Sequence, residues 1–162
     1  MPLTDEIRTR LLELLGRGNS HMAFDDAVRD FPMDRINETP PNVPYSPWYL
    51  LEHMRLTQRD ILDYIEQEDY RERAWPDDSW PPPGTTADEA AWNETIRQFH
   101  EDLTSLEALV SDKSRDLEGT VPSNDRHTIL REIITVASHN HYHIGEFAIL
   151  RQVMGTWPPG HR

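Results

Sequence analysis

Three of the chain's eight histidines fall within five positions, His139-Asn140-His141-Tyr142-His143. On a helix, His139 and His143 are four residues apart and leave one face with Cβ atoms about 5–6 Å apart. Two imidazoles at that spacing can share one metal ion. His141 points about 200° away from His139 at 3.6 residues per turn and stays outside the pair. An HxxxH pair alone also describes two exposed histidines, so its surroundings matter. Ile133, Ile134, Val136, Ala137, Ile144 and Phe147 flank it, and unpaired imidazoles among such residues would lose hydration without replacement. His53 lies in a similar apolar stretch, Trp48-Tyr49-Leu50-Leu51-Glu52-His53-Met54. Facing helices of a bundle can bring His53 opposite the pair, giving three nitrogen ligands and an open fourth position.

Carboxylates share these faces. Glu146 follows His143 by three residues and His139 by seven. It could be a fourth ligand, an acceptor orienting an imidazole, a base acting on activated water, or a solvated side chain at the bundle mouth. Glu132, seven residues before His139, and Asp60, seven after His53, are weaker candidates. His21, His100, His127 and His161 fall in loops, at helix ends or in polar settings and are assigned no role. The chain has no glycine-rich phosphate loop, GxSxG elbow or HExxH, so nothing signals a nucleotide fold or a zincin.

The elements that must position these residues are helices. Leu3, Ile7, Leu11, Leu14 and Leu15 recur at helical spacing, and Gly16 and Gly18 end the run. Met22 to Phe31 reads as a short helix that Pro32 stops. Ser46-Pro47 is a helix start, serine as N-cap and proline at the first position, and apolar spacing carries that helix to about Tyr70. Thr86-Ala87-Asp88-Glu89 has the form of a capping box opening a helix to Leu109 and Val110. The last long helix runs from near Thr128 to Gly155, and Asp116–Pro122 before it could be briefly extended. The connections are long and proline-rich. That at 75–84 carries Trp75 and Trp80 and is expected to lie against the bundle. Residues 1–162 therefore read as one all-α domain, a four-helix bundle with long Pro-rich crossover loops and one short extra helix.

Composition narrows the function. The 162 residues contain no cysteine, which removes disulfides, thiolate metal sites and a cysteine nucleophile. A net charge of −13 and the lack of a basic stripe disfavour a nucleic-acid partner. A highly anionic substrate would need a local positive patch, for which Arg55 and Arg151 are the candidates. Mean hydropathy is −0.73, and no run approaches the ~18 apolar residues of a membrane span. Charges near the start occupy the place of a signal peptide's apolar stretch, so a cytoplasmic location without a membrane partner is expected. Apolar helix faces, the aromatic loop and Trp157 exceed what one core obviously needs, and a homodimer is expected.

The run Pro44-Tyr45-Ser46-Pro47-Trp48-Tyr49-Leu50-Leu51-Glu52-His53-Met54-Arg55, with the later His139-Asn140-His141-Tyr142-His143-Ile144-Gly145-Glu146, resembles the DinB-like superfamily. The Trp-Pro loop at 75–83 and Gly155-Thr156-Trp157-Pro158 look similar as well. The resemblance implies a four-helix bundle holding a divalent metal on His53, His139 and His143, often as a dimer. Where the family usually has glutamine after the glycine, this chain has Glu146, which leaves undecided what fills the fourth coordination position. Imidazoles suit zinc, nickel, copper and iron(II), with zinc or nickel expected here. Characterised relatives include S-transferases and an isomerase that use bacillithiol, mycothiol or glutathione. The implied function is a metal-dependent transferase acting on a small molecule with a low-molecular-weight thiol; Glu146, from its own place on the face of the histidines and not from the resemblance, is the candidate catalytic carboxylate. A metal-dependent hydrolase and a non-catalytic, metal-stabilised stress-response or binding module are the alternatives.

Overall fold

The computed structural model describes residues 3–16 and 20–160. The elements run α1 (Leu3–Leu15), α2 (Phe24–Val28), α3 (Pro47–Glu66), α4 (Glu89–Ser111), β1 (Thr120–Val121), β2 (Asn124–Thr128) and α5 (Ile129–Met154). Four of them, α1, α3, α4 and α5, make the bundle, with α3 packed on both α4 and α5 and α1 closing the other side. The short α2 packs on α5.

Local chemistry sets the ends of the two helices that matter most. Ser46 Oγ accepts from Tyr49 N at 3.3 Å, and Pro47 occupies the first turn of α3, where no N–H is needed. Thr128 Oγ1 caps α5 on Arg131 N at 3.2 Å, and Gly155 closes it at φ 64, a left-handed conformation natural to glycine. Arg151, fully buried, donates to Ala27 O, Arg29 O and Thr156 O and so ties the end of α5 to α2 and the residue that follows it.

Three boundaries differ from the sequence reading. The cap of α4 is Asp88, whose Oδ1 accepts from Ala91 N at 2.8 Å; Glu89 is the first helical residue, so Thr86 is too early to cap. α3 stops at Glu66, four residues before Tyr70, because Gln67-Glu68-Asp69 offers no apolar side chain to bury and Gln67 is already extended. α2 covers only Phe24–Val28, and Asp30 beyond it has a positive φ of 52. The extended stretch is also shorter than read: Thr120–Val121 alone pairs, antiparallel with Asn124–Thr128.

Two apolar clusters fill the bundle. One gathers Phe24, Phe31, Trp48, Leu51, Trp92, Phe99 and Phe147. The other gathers Leu11, Leu62, Ile65, Leu106, Ile133 and Val136. Between them α3 and α5 meet through a polar pair. Asn140 Nδ2 donates to Gln58 Oε1 at 2.7 Å, and Gln58 Nε2 donates to Phe99 O at 2.7 Å. Both side chains are buried, so slipping α3 along α5 would strand them unsatisfied. This pair fixes the register that sets His53 opposite the last helix.

Candidate metal centre

His53 projects from the middle of α3, and His139 and His143 from one face of α5. Their Nε2 atoms converge. His53 Nε2 lies 3.1 Å from His143 Nε2 and 3.2 Å from His139 Nε2. Ligand-type atoms of the three residues all fall within 4.8 Å of one another, and no other such group occurs among the described residues. His53 and His143 are buried and His139 half-buried.

The opposite nitrogens show which tautomers are present. His53 Nδ1 lies 2.6 Å from the Ser79 carbonyl oxygen. His143 Nδ1 lies 2.7 Å from Glu146 Oε2. A carbonyl and a carboxylate can only accept, so each Nδ1 carries the hydrogen and donates it. In the neutral rings both Nε2 atoms are then bare lone pairs, facing one another at 3.1 Å. Such an arrangement is repulsive unless something positive sits between them.

A proton is a poor candidate for that role. Burial pushes the pKa of all three rings below the ordinary histidine value. His139 is lowered to about 3, by burial first and then by His143 and His53. The rings are therefore neutral at pH 7, the form that binds metal. Nitrogen donors, bare lone pairs and oriented Nδ1–H groups fit a divalent cation.

The loop between α3 and α4 supplies the rest of the wall. The Trp80 ring lies flat on His53, with centroids 3.9 Å apart and planes 2° apart. Tyr49 Oη donates to Pro82 O at 2.5 Å and holds this loop down, as its aromatic content led one to expect. On the open side a cleft of about 500 Å³ is lined by the three histidines, Thr57, Asp60, Tyr70, Glu72, Arg73, Trp75, Ser79, Trp80 and Tyr142.

The other sequence candidates sort cleanly. Glu146 is the partner of His143 Nδ1, and its negative charge also raises the pKa of Tyr45 and Tyr142. Burial, then that carboxylate, pushes Tyr45 up to about 12. Asp60 lines the cleft. Glu132 does not join: it is buried, pairs with the exposed Arg131 and faces His127 at 3.6 Å. His141 packs on His21, with ring centroids 3.5 Å apart. His100 pairs with Asp25 at 2.8 Å, His127 meets Tyr64 Oη at 2.9 Å, and His161 lies outside the described residues. Neither Arg55 nor Arg151 makes a positive patch at the cleft. Arg55 is forked onto Glu52 at 2.9 and 2.5 Å, and Arg151 is in the core. Sequence reasoning missed Ser79, because a backbone carbonyl has no signature in the sequence, and Arg73, which sits in a loop.

The DinB superfamily model matches residues 19–147, a span that holds all three histidines and Glu146. The chain belongs to the DinB superfamily. No curated protein and no solved structure matches it. In this DinB protein no helix among the described residues is long and apolar enough to cross a membrane. The helical bundle and the clustered histidines agree with the resemblance seen in the sequence, and the position after Gly145 acquires a physical role: Glu146 orients His143.

Proposed function

We propose that this DinB protein holds a divalent cation on His53, His139 and His143 and transfers a low-molecular-weight thiol to an electrophilic small molecule. The observation that carries the metal reading is the pair of bare Nε2 lone pairs facing each other at 3.1 Å, with both Nδ1 hydrogens committed elsewhere. When bound there by neutral ligands, zinc or nickel would keep its full charge and supply Lewis acidity that lowers the pKa of an arriving thiol or water.

The chain's own residues do the positioning. Ser79 O and Glu146 fix the tautomers of His53 and His143, and the negative Glu146 makes the His143 ring a stronger donor through Nε2. Glu146 reaches the far nitrogen of that ring, which supports an orienting role over a fourth ligand. Trp80 covers the face of His53 and keeps water from it. The cleft beside the histidines supports a site that admits substrate, whereas a purely structural metal site would be closed. The chain has no cysteine, so the sulfur must come from a cosubstrate. In the transfer, sulfur bonds to the electrophilic carbon, the thiol proton is released, and any leaving group departs with its electron pair. Such thiols are kept reduced in the cytoplasm, the compartment this chemistry asks for. Tyr142, Ile149 and Val153 are exposed along one side of α5, which supports a second copy of the chain as partner.

The test is elemental analysis of natively purified protein, followed by assays pairing an alkylating electrophile with cysteine, glutathione, bacillithiol or mycothiol. The reading expects about one zinc or nickel per chain and thiol consumption that a chelator stops. Metal without thiol consumption would refute the transferase.

A further inference from the structure

The cleft that the histidines line also carries an ion pair with unused capacity. Asp60 and Arg73 are joined through Arg73 Nε and Asp60 Oδ1 at 2.9 Å, and Tyr70 Oη donates to the same Oδ1 at 3.0 Å. That leaves Asp60 Oδ2 and both Nη atoms of Arg73 without a hydrogen bond among the described residues. The two side chains remain 23% and 31% exposed, so a ligand in the cleft can reach them. Both line the same cleft as the three histidines, and Thr57 and Glu72 are the neighbouring polar groups.

We propose that Asp60 and Arg73 form a receptor for a zwitterionic α-amino-acid head group, the ammonium on Asp60 Oδ2 and the carboxylate on the Arg73 Nη atoms. Guanidinium binds carboxylate as a planar fork, and the carboxylate oxygen takes an ammonium donor; both bonds are charge-assisted. The proposal rests on the thiol reading above and narrows it to thiols carrying a free α-amino-acid group, such as cysteine itself or a γ-glutamyl thiol. A thiol whose amine is acylated would lose the Asp60 bond unless a second amino-acid group were present. A multiply anionic thiol would meet Asp60 and Glu72 in a chain of net charge −13.

The experiment is calorimetric titration of the cobalt(II)-loaded protein with L-cysteine, N-acetyl-L-cysteine and cysteamine, which lack neither charge, the ammonium and the carboxylate respectively. L-Cysteine is expected to bind at least about tenfold more tightly than either analogue, the scale of one charge-assisted hydrogen bond. Arg73→Lys, which keeps a charge for Asp60 but loses the fork, should erase the margin over cysteamine. Asp60→Asn should erase the margin over N-acetyl-L-cysteine. Unchanged cobalt stoichiometry in each variant certifies the fold. Equal binding of the three probes overturns the proposal, as does a preference that survives in both variants, which would mean chelation by the cysteine amine. Failure of the initial cobalt titration would instead overturn the metal reading itself, and this proposal with it.

Discussion

His53 and His143 present unprotonated Nε2 atoms to each other at 3.1 Å, because Ser79 O and Glu146 take the hydrogens on the other side of each ring. Two elements far apart in the chain, the α3–α4 loop and the last helix, thus cooperate to aim lone pairs at one point. The relation makes Glu146 testable without reference to any activity. Glu146→Gln keeps an acceptor oxygen but removes the charge, and Glu146→Leu removes both. Cation affinity measured against a competing chelator should fall about tenfold in the first and up to about a hundredfold in the second, the range seen for outer partners of ligating histidines. Undiminished affinity in Glu146→Leu would show the carboxylate to be a bystander.

The buried rings also give the metal-free protein a pH dependence with a fixed sign. Unfolded histidine titrates near 6.5, whereas folded His139 is lowered to about 3 and His53 and His143 are lowered as well. Between those limits the unfolded chain binds more protons than the folded one. Stability is therefore full above about pH 6.5 and declines as the pH falls toward the depressed values. Thermal unfolding of metal-free protein at several pH values checks this, with His139→Gln as reference. The parent should lose more melting temperature than the variant between about pH 7.5 and pH 5. Parallel losses would contradict the neutral, buried triad.

The Gln58–Asn140 pair carries a separate prediction, because it joins α3 to α5 and sets their register. Gln58→Leu or Asn140→Leu alone strands a buried polar partner and should cost about 1–3 kcal/mol in denaturant unfolding. The double variant should recover much of that stability while binding metal less tightly, since an apolar layer no longer selects one alignment of α3 against α5. Parental affinity in the double variant would show that the register is fixed elsewhere.

The exposed side of α5 bears on assembly. Tyr142, Ile149 and Val153 share one flank of the helix, and Gly145 between them leaves room on its open side. Light scattering should find a dimer at tens of micromolar protein and a monomer for Ile149→Asp, with metal content unchanged. A monomeric parent would remove the partner from the proposal.

Much of this was legible in the residues. The 3.6-residue periodicity of four segments, Ser46-Pro47, Thr128 and Gly155 located the bundle, because helix ends and apolar stripes are written locally. The three histidines were legible through phase, since i and i+4 share a face and His141 does not. What stayed hidden depends on tertiary contact. The Ser79 carbonyl leaves no trace in side-chain chemistry. Asp88 outcompeted Thr86 by a choice of first turn that either residue could have made. Glu146 could be read in four ways from the sequence, and its contact with His143 Nδ1 at 2.7 Å depends on the folded turn. Arg73 sits in a segment with no periodicity, and only the folded loop brings it to Asp60.

The most direct test of the central claim is metal stoichiometry and affinity across single histidine variants at a pH of about 7.5, above the histidine titration. The parent and His141→Ala should each bind one divalent cation per chain with the same affinity. His53→Ala, His139→Ala and His143→Ala should each lose tight binding, because two imidazoles remain. Binding by His139→Ala as tight as that of the parent would contradict the three-histidine centre and every step built on it.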